Sequence, residues 1–171
     1  MNGKNTVLFR EEQRFNQWWL WLLILVPTCM MWYGAIQQLI FHKPFGTNPT
    51  SDTGVSILLV LFGILLPIFM NSLKLITEVR QDGLYVRFYP FHLSFRHYPY
   101  ESINSYKVRE YSPLKEYGGW GIRYGWKGKA YNVSGNRGVQ LELKNGNYLL
   151  IGSQRPEELI SQMQNAIKNN Q

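Results

Sequence analysis

WWLWLLILVPTCMMWYGAIQQLI (residues 18–40) and VSILLVLFGILLPIFMNSL (residues 55–73) decide how this chain is organised. The first holds no Asp, Glu, Lys, Arg or His, only the weakly acidic Cys29 and Tyr33, and the second holds no ionisable side chain. A hydrocarbon core about 30 Å thick takes roughly 20 helical residues, and apolar core helices of soluble proteins usually run about 10–14. Both stretches are therefore read as transmembrane helices. Each carries a proline, Pro27 and Pro67, and a glycine, Gly34 and Gly63. In a bilayer such residues kink a helix rather than end it, because no water competes for the backbone. Trp18, Trp19 and Trp21 near one end of the first stretch, and Trp32 and Tyr33 towards the other, read as interfacial anchors. Gln37 and Gln38 would then reach the far headgroups.

The flank before residue 18, KNTVLFREEQRFNQ, mixes both signs of charge, and the apolar run that follows exceeds a signal-peptide core of about 7–15 residues. The segment reads as retained. Lys4, Arg10 and Arg14 precede the first span, and Lys74, Arg80 and Arg87 follow the second. The connector HKPFGTNPTSDTG (42–54) offers only Lys43, balanced by Asp52. The excess of basic residues on the outer flanks puts both termini in the cytoplasm and the connector outside.

From residue 75 the pattern changes to β-structure. LITEVR and LYVRFY are separated around Asp82-Gly83, a strong hairpin signal, and Leu84, Val86 and Phe88 alternate with Tyr85, Arg87 and Tyr89. Strands are further expected over 93–98, 103–111, 121–125 and 129–134, with Pro113 in a loop. A second hairpin joins 139–143 to 148–151 through Asn145-Gly146. Pro156, Glu157 and Glu158 then open a helix whose apolar stripe is Leu159, Ile160, Met163 and Ile167. Asn169, Asn170 and Gln171 are expected to fray. Seven or so short strands closed by one amphipathic helix make an antiparallel barrel or sandwich with a helical cap.

That order resembles the pleckstrin-homology (PH-like) superfold. GGWGIRYGWKGKAYNVSGNRGVQLELKNGNYLLIGSQRPEEL (118–159) resembles the C-terminal half of bacterial PH-like domains from small membrane proteins, in which two transmembrane helices precede the domain. The resemblance implies a fold and a membrane setting. That family has no agreed activity, so it implies no functional residue.

Catalytic patterns fall away one by one. Ser112 and Lys115 have S-x-x-K spacing without its partner motifs. Glycines 119, 121, 125 and 128 do not form a dinucleotide-binding loop, and Gly128-Lys129 lacks the hydroxyl of a P-loop. Asn132-Val133-Ser134 is a sequon that a cytoplasmic location silences. His42, His92 and His97 are scattered, and the single cysteine allows no internal disulfide. No catalytic residue, cofactor or metal is expected, and the chain reads as a non-enzyme.

The net charge is +7, and residues 75–171 hold thirteen Lys or Arg against eight Asp or Glu. A basic domain tethered at an anionic leaflet is attracted to it. Arg123, Lys127 and Lys129 stand among Trp120, Tyr124, Trp126 and Tyr131. This mixture suits a lipid headgroup layer, and equally stacking on single-stranded nucleic acid. It also suits plain packing, with Trp120, Ile122 and Tyr124 inside and Arg123 in water. There is no basic run, so nucleic acid is not an expected partner. Lipid- or partner-binding candidates are Arg123, Lys127, Lys129, Trp120 and Trp126.

The expected organisation is an α+β membrane protein: a cytoplasmic tail (1–16), a first transmembrane helix (17–41), an external loop (42–54), a second helix (55–76) and a cytoplasmic PH-like domain (77–171). The expected role is a multi-pass inner-membrane module that binds or scaffolds a protein partner, or the anionic leaflet itself. The rival is an accessory subunit that assembles a transporter or envelope enzyme through its helices, using Gly34, Ala35 and Gly63. Partners under these readings are membrane lipid, another membrane protein or a second copy of the chain.

Overall fold

The computed structural model describes residues 6–169. Lys4 of the N-terminal charge count, and Asn170 and Gln171 of the fraying end, lie outside the described residues. The chain forms two compact units: Phe15–Ser72 is one, and the segment up to Arg14 joins the chain from Leu73 onward in the other.

The first unit is a helical hairpin. Helices α1 (Trp18–Ile40) and α2 (Asp52–Ser72) are long and apolar enough to cross a membrane by length and composition. Their apolar windows are only 22% and 11% buried within the protein, whereas a soluble core helix is mostly covered. α2 starts before the apolar run because Ser51 caps it, its Oγ accepting from the Gly54 N–H at 3.2 Å. Gln38 Nε2 ties the connector down, donating to the Thr50 carbonyl at 2.7 Å and to Asp52 Oδ1 at 2.9 Å.

Pro67 explains how the two helices hold each other. Around Leu59–Leu65 the helix widens to five-residue hydrogen bonds, and the Leu66 N–H reaches back to the Leu61 carbonyl. Proline has no N–H. The carbonyls that a donor at 67 would serve, those of Phe62 and Gly63, accept instead from α1. Thr28 Oγ1 donates to Phe62 O at 3.2 Å, and Trp32 Nε1 to Gly63 O at 3.1 Å. Gly63 permits that approach, since a Cβ there would stand 3.3 Å from Trp32 Nε1 and 2.8 Å from Leu59. Trp32 is thus a polar link between helices as well as an aromatic residue in an apolar run.

The second unit holds two sheets and a helix across them. Strands β1 (Val7–Arg14), β2 (Lys74–Arg80), β3 (Gly83–Tyr89) and β4 (Arg96–Pro99) form an antiparallel sheet in that order. Strands β5 (Ile103–Glu110), β6 (Gly121–Gly125), β7 (Gly128–Asn132), β8 (Arg137–Leu143) and β9 (Tyr148–Gly152) form a second, in the order β5-β8-β9-β7-β6. A one-turn helix, α3 (Pro113–Tyr117), follows β5. Helix α4 (Pro156–Lys168) lies against strands of both sheets and buries Leu159, Met163 and Ala166 completely.

Several expectations change. Residues 7–14, expected as part of a tail, are strand β1, paired with β2 from Val7↔Arg80 to Arg14↔Lys74. Its inward residues are Phe9, Glu11 and Gln13, so only one of three is apolar and the alternation is hidden. The domain resumes at Lys74 rather than residue 77, directly after α2. The sheets do not close into a barrel, and β7 runs parallel to β9, so the domain is not wholly antiparallel. The strand expected over 93–98 shifts to Arg96–Pro99, and Pro113, expected in a loop, sits in the first turn of α3.

β1 is fastened by polar groups far away in sequence. Glu11 accepts from Ser153 Oγ at 2.5 Å and from the Gln154 N–H at 2.7 Å. Gln13 Nε2 donates to the Gly152 carbonyl at 2.8 Å, and Arg155 donates to the Arg10 carbonyl while lying 4.8 Å from the Phe9 ring centroid. The folded domain therefore needs chain from both sides of the hairpin.

Candidate functional site

Strand alternation divides the five candidate residues. On β6 and β7, Tyr124 pairs with Lys129 and Arg123 with Ala130, so these pairs point to opposite faces of the sheet. Lys129 lies with Tyr131, its Nζ 4.7 Å from that ring centroid and 5.4 Å from the Tyr124 centroid. Arg123 Nε donates to the Trp120 carbonyl at 2.9 Å, and Trp120 Nε1 donates to the Gly135 carbonyl at 3.3 Å. Tyr124 is exposed because β6 is the edge strand, so it does not fill a core.

Trp126 and Lys127 form the tip between β6 and β7, and there they meet residues that the sequence reading did not single out. Lys107 and Arg109 of β5, Gln140 of β8 and Tyr148 of β9 line a groove of about 370 Å³ with them. Trp126 is 99% exposed, an unusual state for the largest apolar side chain. Two close backbone approaches hold the tip in place. A Cβ on Gly125 would stand 2.1 Å from the Glu116 carbonyl of α3, and one on Gly128 would stand 2.1 Å from the Tyr148 carbonyl.

The groove is electropositive with one carboxylate at its edge. Glu116 pairs with Arg109 and lies 3.7 Å from Lys127 Nζ. Burial raises its pKa, but the Ser112 N–H, Arg109 and Lys127 outweigh this and hold it below the usual carboxylate range. Lys107, Arg109 and Lys127 thus bring three positive charges against one negative. Gln140 is 94% buried by residue area, being 6% exposed; its Oε1 accepts from Arg109 Nη1 at 2.8 Å, while Nε2 has no hydrogen-bond partner. A buried donor without a partner costs about 1–3 kcal/mol, which an arriving acceptor would recover. The arrangement suits an anionic acceptor such as a carboxylate, with Trp126 and Tyr148 covering apolar atoms beside it.

On the opposite face, burial and then the charges of Arg96 and Lys129 push the His92 imidazole below its ordinary value, and it stands edge-on to Tyr131 at 5.5 Å. Tyr111, packed beside Tyr117, Ala130 and Leu150 under α3, is pushed up to about 12, chiefly by burial. Among the described residues no group of three or more His, Cys, Asp or Glu could hold a metal ion.

Fold and groove together define a class: an α+β domain interrupted, between two paired strands, by an apolar helical hairpin. Over residues 1–169 the chain matches a family of unknown function (DUF6141), and it belongs to that family. No curated protein and no solved structure matches it.

Proposed function

We propose that the protein is a non-enzymatic, membrane-anchored binding module. The hairpin crosses the inner membrane, both termini are cytoplasmic, and the two-sheet domain offers its cationic groove to an acidic segment of a partner protein. The observation that carries this reading is the position of the hairpin between β1 and β2. Paired strands cannot lie on opposite sides of a bilayer, so an inserted hairpin must enter and leave on one side. Arg10, Arg14, Lys74, Arg80 and Arg87 all flank that side and favour the cytoplasm. A four-stranded sheet, a second sheet and a C-terminal helix touching both support the PH-like reading, with β6 and β7 as an added arm.

The rival role, assembly of a transporter through small residues of the helices, has no specific support. Gly34 and Ala35 are buried, a Cβ on Gly34 would stand 2.7 Å from the Phe45 ring, and Gly63 is used against Trp32.

Reporters fused at the C-terminus test the topology. Alkaline phosphatase there should be inactive and a green fluorescent protein bright; the reverse pattern refutes the orientation. For the groove, a photo-crosslinking amino acid replacing Trp126 in the full-length chain should give a discrete protein adduct in cells. Lys107→Glu with Lys127→Glu should reduce that adduct at least about tenfold, as loss of two charge contacts worth near 1 kcal/mol each predicts. An adduct indifferent to charge reversal removes the acidic-partner reading.

A further inference from the structure

The β3–β4 loop exposes two large apolar side chains beside a cluster of cations. Leu93 is 82% exposed and Phe91 62%. We infer that this loop dips into the interfacial layer of the membrane crossed by the hairpin, and so fixes the domain against the leaflet. The inference rests on the transmembrane reading above.

The position of the loop follows from strand register and chain length. The chain leaves the first sheet after Arg14 and returns at Lys74, and these two residues are paired. Lys74 also pairs with Tyr89, the last residue of β3. The loop that starts at Pro90 therefore leaves the sheet at the end where the hairpin is spliced in. Lys74 follows Ser72 by two residues, at most about 7 Å of chain. Its partner Tyr89 is about 5 Å further across the sheet. With α2 in a bilayer, chain length alone keeps the root of the loop close to the headgroups.

The chemistry at this end suits that layer. Arg14, Lys74 and Arg87 project from the same face of three adjacent strands, in register with Tyr89 and Ile76. The Arg87 guanidinium lies 5.6 Å from the Tyr89 ring centroid and 5.4 Å from that of Phe95, and Lys74 Nζ lies 6.0 Å from Tyr89. Exposed Arg96, which pairs with Val86 and so lies on the other face, adds a fourth cation at this end. One carboxylate, Glu12, sits among them, 2.8 Å from Arg14 and 3.5 Å from Lys74. Cations that meet phosphates, with Phe91 and Leu93 ahead of them to enter the acyl boundary, form the pattern of an interfacial anchor. Through His92 the loop meets Tyr131 of the basic–aromatic segment at 5.5 Å, whereas Trp126 lies in the groove described above.

The test uses the full-length protein in nanodiscs of mixed neutral and anionic lipid, with spin-labelled lipids as quenchers. An environment-sensitive fluorophore is placed at Leu93→Cys or, for comparison, at Glu101→Cys, each in a Cys29→Ser background. Glu101 follows Pro99, which pairs with Gly83 at the opposite end of the sheet. In the unsubstituted protein the same dye on native Cys29 reports the span. The dye at 93 should be blue-shifted and quenched several-fold more strongly by headgroup-level spin labels than the dye at 101. Arg87→Gln with Arg96→Gln should weaken that quenching in anionic nanodiscs, and replacing anionic lipid with neutral lipid should do the same. Strong deep quenching at Cys29 with equal, weak quenching at 93 and 101 overturns the loop proposal alone. No lipid quenching at Cys29 overturns the transmembrane reading and the loop proposal with it.

Discussion

A chain in which residues 15–73 are replaced by Asn-Gly is expected to be a soluble, cooperatively folding domain, whereas a chain that begins at Lys74 is expected not to fold. Arg14 and Lys74 are directly paired, so a two-residue type I′ turn can join them without changing the register. The excised protein keeps the β1–β2 pairing and the hydrogen bonds of β1 to Gly152, Ser153 and Gln154. The truncated one loses the burial of Phe9, worth about 2 kcal/mol. It also loses the two hydrogen bonds that charged Glu11 accepts from Ser153 and Gln154, at about 1.5–3 kcal/mol each, and that of Gln13 to Gly152, at about 1 kcal/mol. Those losses reach the lower part of the range of about 5–15 kcal/mol within which domains of this size are stable. They also open a long edge on β2, which invites aggregation. Urea titration followed by circular dichroism decides it. A cooperative transition in the chain from Lys74 at the same midpoint as in the excised chain would show that β1 is dispensable. A truncated chain that aggregates beside a well-behaved excised one would establish the split domain.

The parts of this fold that are local in sequence are those the sequence displays. Asn145-Gly146 announces the β8–β9 hairpin, and Gly146 takes a positive φ of 80°, but Asn145 does not, so the connection is not the type I′ turn that this pair suggests. Pro156 opens α4, and of the expected stripe Leu159 and Met163 are buried, joined by Ala166, while Ile160 and Ile167 are only half-buried. β1 is not legible because its meaning lies elsewhere. Glu11 and Gln13 look like solvent residues until Gly152, Ser153 and Gln154 are placed beside them, 139 to 143 positions away. The groove hides for the same reason. Lys107 and Arg109 alternate along β5, but only the register Lys107↔Gln140 brings them to one face with Gln140, and only the β6–β7 arm adds Trp126 and Lys127. The basic–aromatic composition of residues 120–131 draws attention to that arm without telling which residues share a face. Period-two alternation was the signal available, and it separates Arg123 from Lys129 once the register Tyr124↔Lys129 is known.

Glu78→Ala is expected to cost the domain about 3 kcal/mol, the lower end for breaking a buried ion pair. Glu78 is 1% exposed in the middle of β2. Its Oε1 accepts from Arg10 Nη1 at 2.6 Å, and its Oε2 from Arg80 Nη2 at 2.6 Å and Nε at 3.0 Å. The two guanidiniums are not equivalent. The Arg10 side chain is 53% exposed and can turn to water, so its loss is small. The Arg80 side chain is 20% exposed and lies 4.2 Å from the Tyr85 ring centroid, and Tyr85 in turn stacks on His97 at 4.3 Å. Removing Glu78 leaves that charge held between ring and sheet without its counter-ion. Replacing Arg80 as well should therefore recover part of the loss, so Glu78→Ala with Arg80→Leu should be less damaging than the sum of the two single changes by about 1–3 kcal/mol. Glu158→Ala gives the contrast. Its pair with Arg155 at 3.1 Å is about half exposed on both sides, and its loss should change stability by no more than about 0.5 kcal/mol. Chemical denaturation of the excised domain measures all four proteins. Equal midpoints for Glu78→Ala and Glu158→Ala would mean that the buried carboxylate contributes no more than a surface one, and that the outer face of the first sheet is not organised around it.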